Sequence, residues 1–221
     1  MRQKFHELGA KFLGDFLLVW RAIRAMDDTE QGSEEAQHLM RMIIPMAKWW
    51  SARQSVYSVR ECMELMGGNG YIEDFVMPKL LRDVNVLPIW EGAGNIMVLD
   101  MLRASQKSNG LEIIIQQIRE SASDSEQYGS LISENLDKLI STWKELEGMK
   151  DRDKIEATAK PLFEELILLY QMALMIEEKD DTSKAWINPA LQFMASEFDG
   201  EIGIEEPISL QEVENLIAWD Y

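Results

Sequence analysis

Large apolar side chains recur along this chain at intervals of three and four. The first run is Phe5, Leu8, Phe12, Phe16, Leu17 and Trp20, the spacing of one face of an α-helix. The same period governs almost every segment. Nowhere do four or more clean apolar/polar alternations coincide with β-branched residues, as a half-buried strand requires. The pattern predicts helices at roughly 3–27, 34–66, 92–107, 110–122, 129–147, 153–179, 189–198 and 209–218. The fold class is therefore all-α, a helical bundle. The run LILLYQMALMI at 166–176 is shorter than the roughly 18–20 residues that span a bilayer. It is flanked by Glu164-Glu165 and Glu177-Glu178, and predicts a buried helix.

Several helix ends have a local cause. Asn188-Pro189 places a cap residue before a proline at the first helical position, where the missing N–H costs nothing. Ser209 and Glu212 have the spacing of a capping box. Pro45 and Pro161 fall inside helical patterns, and each is expected to kink its helix or mark a break. The helical period lapses between 66 and 92. There LLRDVNVLPIWEG reads as an extended stretch ended by Pro88, with Arg82 and Asp83 as an ion pair or a cap. The stretch 105–110 is the natural boundary, giving a bundle over 1–104 and a helical extension over 105–221. The first helical pattern begins within a few residues of Met1 with no preceding turn or cap, as in a chain that enters mid-fold. Its apolar stripe needs a partner surface, or else forms the first helix of an ordinary bundle.

Charge sharpens this division. The chain has 221 residues, 46% of them apolar, and a net charge of −17. Residues 1–104 carry 12 basic and 14 acidic side chains, residues 105–221 carry 10 and 25. An acidic second half repels phosphate backbones and acidic membranes, so nucleic-acid binding through it is disfavoured. One cysteine, Cys62, rules out an internal disulfide framework and points to a reducing compartment. The start, MRQKFHELGAK, lacks the apolar core and cleavage site of a secretory signal. The expected location is cytoplasmic, with no membrane partner.

Candidate chemistry concentrates between Glu64 and Asn95. ELMGGNGYIEDF puts Gly67, Gly68 and Gly70 at the end of a long helix. One glycine there is an ordinary cap; three in four positions imply unusual dihedrals or a close approach. The spacing matches neither a P-loop nor a Rossmann fingerprint. Further on, PIWEGAGNIM sets Glu91 between Trp90 and a Gly-Ala-Gly turn. The bland account is helix electrostatics, an acid favouring the positive end of the macrodipole. The sharper one is a catalytic base in a dry pocket. Gly92, Ala93 and Gly94 expose the backbone N–H groups of a helix start, a possible anion site. His6 and His38 lie in no ligand spacing, so no metal site is expected and Ser/His/Asp catalysis fails. Cys62 reads as a small buried residue.

The ordered set GGNGY, RD and IWEG resembles the C-terminal helical domain of the acyl-CoA dehydrogenase family, whose signature runs Gly-Gly-x-Gly-aromatic, Arg-Asp, Ile-aromatic-Glu-Gly. The resemblance covers residues 1 to about 104. Pro45-Met46-Ala47-Lys48, Glu64 where many members carry glutamine, and the long extension look like the alkylation-response branch. Known members of that branch carry a DNA-associated C-terminal region, and the acidic extension here departs from it.

The resemblance implies removal of hydrogen from the Cα–Cβ bond of an acyl-CoA thioester, with FAD as cofactor. It makes Glu91 the base for the α-proton, with Trp90 excluding water and Gly92 admitting substrate. Desolvation would raise the carboxyl pKa and strengthen the base. Ala93 and Asn95 fall where the family contacts flavin, although Ala93 lacks the hydroxyl usual there. Gly67 and Gly68 match a backbone segment that touches the FAD of a neighbouring subunit. The family's N-terminal helical domain and β-domain have no counterpart in the sequence. The expected partners are thus acyl-CoA, further copies of this chain, or a separate flavin-binding subunit, and the chain alone is not expected to hold FAD. The alternatives are a non-catalytic helical scaffold or an alkylation-response flavoprotein fragment.

Overall fold

The long α1–α2 hairpin organises the molecule. The computed structural model describes residues 1–90, 92–180, 182–199 and 209–217. Among them α1 spans Arg2–Glu30 and α2 spans Glu34–Leu65. The hairpin turns at Gly32, whose φ of +93° suits glycine. Ser33 caps α2 by accepting from the Ala36 amide at 3.2 Å. The two helices run antiparallel, because Lys4 reaches Glu61 at 2.9 Å and the Tyr57 hydroxyl donates to Glu7.

Behind α2 come two short helices, α3 (Gly68–Tyr71) and α4 (Met77–Asn85), followed by α5 (Gly94–Lys107). Then α6 (Gly110–Asp124), α7 (Gly129–Glu147) and α8 (Arg152–Glu177) form an antiparallel set, and α9 (Lys184–Asp199) and α10 (Leu210–Ile217) return onto α1. No strand occurs among the described residues. The bundle with a helical extension is the architecture that the apolar pattern predicts.

The core has its densest part at α8. From Leu166 to Met175 nearly every side chain is buried, which is why this run lacks a polar face. It packs against α1, α6, α7, α9 and α5. Trp143 of α7 is buried and meets Phe163 with ring centroids 5.5 Å apart. Trp186 packs against the same core, while Trp219 lies outside the described residues. No described helix is long and apolar enough to cross a membrane.

The predicted stripe of α1 divides. Leu8 and Leu17 are buried, as are Leu13 and Leu18, so α1 is the first helix of the bundle. Phe12, Phe16 and Trp20 are exposed, with Phe16 stacked on Trp20 at 6.0 Å.

Three local expectations need correction. Residues 77–85 are helical, not extended, because Pro78 sits in the first turn, where it costs no hydrogen bond. Helix α9 starts at Lys184 and carries Pro189 inside it; the Pro189 carbonyl accepts from buried His6 Nε2 at 2.6 Å. Pro45 and Pro161 lie inside α2 and α8, which do not break there. Arg82 and Asp83 do not pair with each other: Arg82 makes a two-pronged contact with Glu73 at 2.8 and 3.1 Å, and Asp83 meets Lys79 at 2.9 Å. The predicted capping box is present. Ser209 N donates to Glu212 Oε2 at 2.9 Å, and Glu212 N donates to Ser209 Oγ at 3.2 Å.

Polar contacts also join α1 to α8 inside the bundle. Gln171, 1% exposed, donates from Nε2 to Asp15 Oδ1 at 3.0 Å. Burial pushes the Asp15 carboxyl up to about 7, against the opposing pull of the Gln171 bond and of Lys11. A raised carboxyl pKa means the folded state holds a proton that the unfolded chain has released. The contribution is therefore full below about pH 4 and is lost as pH rises through about 7. Asp15→Asn keeps an acceptor for Gln171 but cannot titrate. We expect it to flatten the fall in stability across that window, a difference on the order of 2 kcal/mol, read from urea midpoints at pH 5 and pH 8.

Candidate functional site

The long helix α2 ends at Leu65, and the chain then reverses. Gly67 has φ +58° and ψ −138° and caps α3, a backbone state open to glycine and strained for other residues. Gly70 is buried, and its amide donates to the Gly67 carbonyl at 2.9 Å. A Cβ at Gly70 would lie 2.2 Å from the Met63 carbonyl oxygen. This glycine lets the chain fold flat against the last turn of α2. Around Gly67 and Gly68 a Cβ would meet nothing within 4 Å, so their backbone is open to an approaching group.

The chain then runs back along α2 through α4, which packs on both α2 and α3. Residues 84–90 form a tight succession of turns. Leu87 N donates to Val84 O at 3.1 Å, Ile89 N to Val86 O at 3.0 Å, and Trp90 N to Val86 O at 3.1 Å. Glu91, the predicted base, lies outside the described residues. Gly92 has φ +119°, and Ala93 caps α5 with no side-chain hydrogen bond. Among the described residues no side chain caps the start of α5; the Ile96 amide donates to the Ala93 carbonyl at 2.8 Å, and the exposed N-terminal end of a helix suits an anion or a carbonyl. Gly94 sits against buried Trp49, where a Cβ would come 3.1 Å from the indole Nε1.

Trp90, Gly92, Ala93 and Asn95 are thus brought together in one turn and the helix start behind it. Gly67 and Gly68 belong to a second place. From Lys48 and Trp49, which touch the 87–94 segment, to the end of α2 at Leu65 is about 25 Å along the helix. Trp90 is 53% exposed and Ile89 is 71% exposed. Tyr71, 80% exposed, together with Phe75, Val76, Leu80 and Ile96 adds further exposed apolar surface on α3, α4, the link between them and α5. The chain by itself presents open surfaces here. For a flavin, these residues could serve only as contact edges, through the unobstructed backbone at Gly67 and Gly68 and the exposed Asn95 at the start of α5. Burial pushes the Cys62 thiol up, opposite to an activated nucleophile. Among the described residues no three His, Cys, Asp or Glu side chains converge as a metal set.

Sequence reasoning missed the part played by α2 in the site. Lys48 Nζ donates to the Leu87 carbonyl at 2.5 Å, across 39 positions that no local pattern connects. Arg53 lies 5.2 Å above the Trp49 ring and donates to Glu164 of α8 at 2.5 Å.

Residues 1–106 match the family described as acyl-CoA dehydrogenase, C-terminal domain. Acyl-CoA dehydrogenase family member 11 of Caenorhabditis elegans is 30% identical over 184 residues, which cover 78% of this chain and 30% of that protein. The Escherichia coli K12 protein AidB is 36% identical over 111 residues, 50% of this chain and 20% of its own length. The crystal structure of C. elegans ACDH-11 in complex with C11-CoA superposes with a TM-score of 0.68 at 26% identity, over 87% of this chain and 34% of that one. The likeness to the worm protein extends beyond residue 106 into the extension. The chain spans about a third or less of the length of these relatives.

The two kinds of glycine separate by mutation. Gly70→Ala forces backbone apart at Met63 and is expected to cost about 1–3 kcal/mol. Gly68→Ala, with open space around it, is expected to stay within about 0.5 kcal/mol. Urea unfolding of both variants checks the contrast.

Proposed function

Residues 1–106 belong to the C-terminal domain family of the acyl-CoA dehydrogenases, with the look of its alkylation-response branch, and on that premise we propose that the chain is the C-terminal helical part of an FAD-dependent, acyl-CoA dehydrogenase-like flavoprotein. The reaction is α,β-dehydrogenation of an acyl-CoA thioester. Glu91 takes the α-proton, the electrons of that C–H bond become the new double bond, and the β-hydrogen leaves with its electron pair. Bound FAD supplies the acceptor for that hydride. Trp90 shields the carboxylate from water, and Gly92, which has no side chain of its own and lies against Met97, admits the thioester. Asn95, with the amides behind Ala93, faces the flavin.

The observation that carries this reading is the turn itself. A turn that ends in the exposed apolar residues Ile89 and Trp90 is followed closely by an α5 start whose N-cap residue, Ala93, supplies no side-chain cap. A carboxylate becomes a useful base when water is excluded. With Trp90 and Ile89 as exposed as they are, that exclusion requires a second surface, from another copy of this chain or from a flavin-binding part. The relatives are about three or more times longer than the segment they share with this chain, which supports the second source. The distance of about 25 Å along α2 supports assigning Gly67 and Gly68 to the flavin of a neighbouring subunit and Ala93 and Asn95 to the near one. The C11-CoA bound to the worm relative supports an acyl-CoA substrate. On this reading residues 1–104 carry the site, and 105–221 form the acidic helical extension that completes the core beneath it.

In an assembly of this chain with a flavin-binding part, Glu91→Gln is expected to leave flavin absorbance after desalting unchanged. It should slow reduction of that flavin by acyl-CoA by about 10²–10⁴-fold. Stopped-flow bleaching of the flavin band measures both, and reduction at the parental rate would remove Glu91 from the base role.

A further inference from the structure

The segment 87–94 is an arch with both feet on α2. One foot is the Leu87 carbonyl, which accepts from Lys48 Nζ at 2.5 Å. The other is Gly94, set close against the indole of Trp49. Successive residues of one helix therefore hold the two ends of an eight-residue span, and Glu91 is near its middle. Among the described residues, the Lys48 contact is the one hydrogen bond that ties 86–93 to a distant part of the chain. The others there are local: Leu87 to Val84, Ile89 and Trp90 to Val86. Those local bonds make the first half of the arch move as a unit, so its position is set where Lys48 grips it.

We propose that Lys48 is a positioning residue for the arch, setting where Trp90 sits relative to α2. The inference rests, for its catalytic meaning, on the reading of Glu91 as base. An ordinary account of Lys48 is charge near the end of α4, where lysine favours free carbonyls. Its surroundings go further. Ala47, Trp49 and Trp50 are buried and Lys48 is half-buried, so its stem is confined and its ammonium has a fixed reach. Arg53, stacked on Trp49 and joined to Glu164, holds the second foot from below. A carboxylate that must meet one C–H bond loses rate steeply with small displacement, and a bond at the root of the arch controls that displacement.

The test uses the chain as it is, without flavin. Lys48→Met keeps the length of the stem and removes the donor; Lys48→Arg restores a donor. Hydrogen–deuterium exchange of peptides covering 86–97 is measured for both, alongside peptides from α8 and the thermal midpoint. We expect Lys48→Met to speed exchange in 86–97 by tenfold or more with α8 unchanged, and Lys48→Arg to recover most of the protection. Unaltered exchange in Lys48→Met would overturn the proposal. So would faster exchange throughout the chain that arginine fails to rescue, since that is a purely structural role. None of these readouts depends on dehydrogenation, so a failure of Glu91 as base, seen in flavin reduction, is recognisable separately.

Discussion

The apolar run of α8 constrains everything around it. Between Leu166 and Met175 almost no side chain meets solvent, and each large one is worth roughly 1.5–3 kcal/mol when buried. A helix with no polar face has to be covered on every side, so helices from both ends of the chain surround it: α1 and α5 from the first half, α6, α7 and α9 from the second. The family-like half and the acidic extension consequently share one core. The same demand explains where the charge goes. With the interior taken by apolar side chains, no acidic residue of the extension is buried among the described residues, and its net negative charge aids solubility.

Among the described residues this apolar interior admits few polar groups, and several of them pair across helices. Gln171 meets Asp15, the Tyr170 hydroxyl donates to Gln117 Oε1 at 2.6 Å, and His6 donates to the Pro189 carbonyl. Each bond joins different helices, so each fixes a relative height that apolar contact alone would leave loose. Partnered groups of this kind carry little net energy but strongly penalise any packing that separates them. The seam between α1 and α8 is therefore set by chemistry as well as by shape.

The long helices were legible in the sequence because a period of 3.6 sustained over many residues has no competing explanation. The α8 run announced its burial by length and flanking charge, and Ser209 with Glu212 announced a cap. Helix α4 was hidden because nine residues bounded by a glycine cluster and a proline give too little pattern to separate helix from extended chain. The true start of α9 was hidden because a local rule made Pro189 a first-turn residue, whereas the helix begins five residues earlier. At the candidate site, the motif around Glu91 was visible as a string of residue types, and Glu91 itself lies outside the described residues. Its support was not visible. Lys48, Trp49 and Gly94 are brought together only by tertiary packing, and neither spacing nor composition encodes a bond between positions 48 and 87.

Helix α2 behaves as a ruler. It carries the feet of the 87–94 arch near its middle and the glycine turn at its end, and an uninterrupted α-helix has no adjustable joint between them. Substitutions on its surface leave this graduation intact. A change of length does not: one residue added or removed between Trp50 and Leu65 would turn the glycine cluster by about 100° and shift it by about 1.5 Å while the arch stayed in place. Within this stretch of α2, length is therefore held more tightly than residue identity.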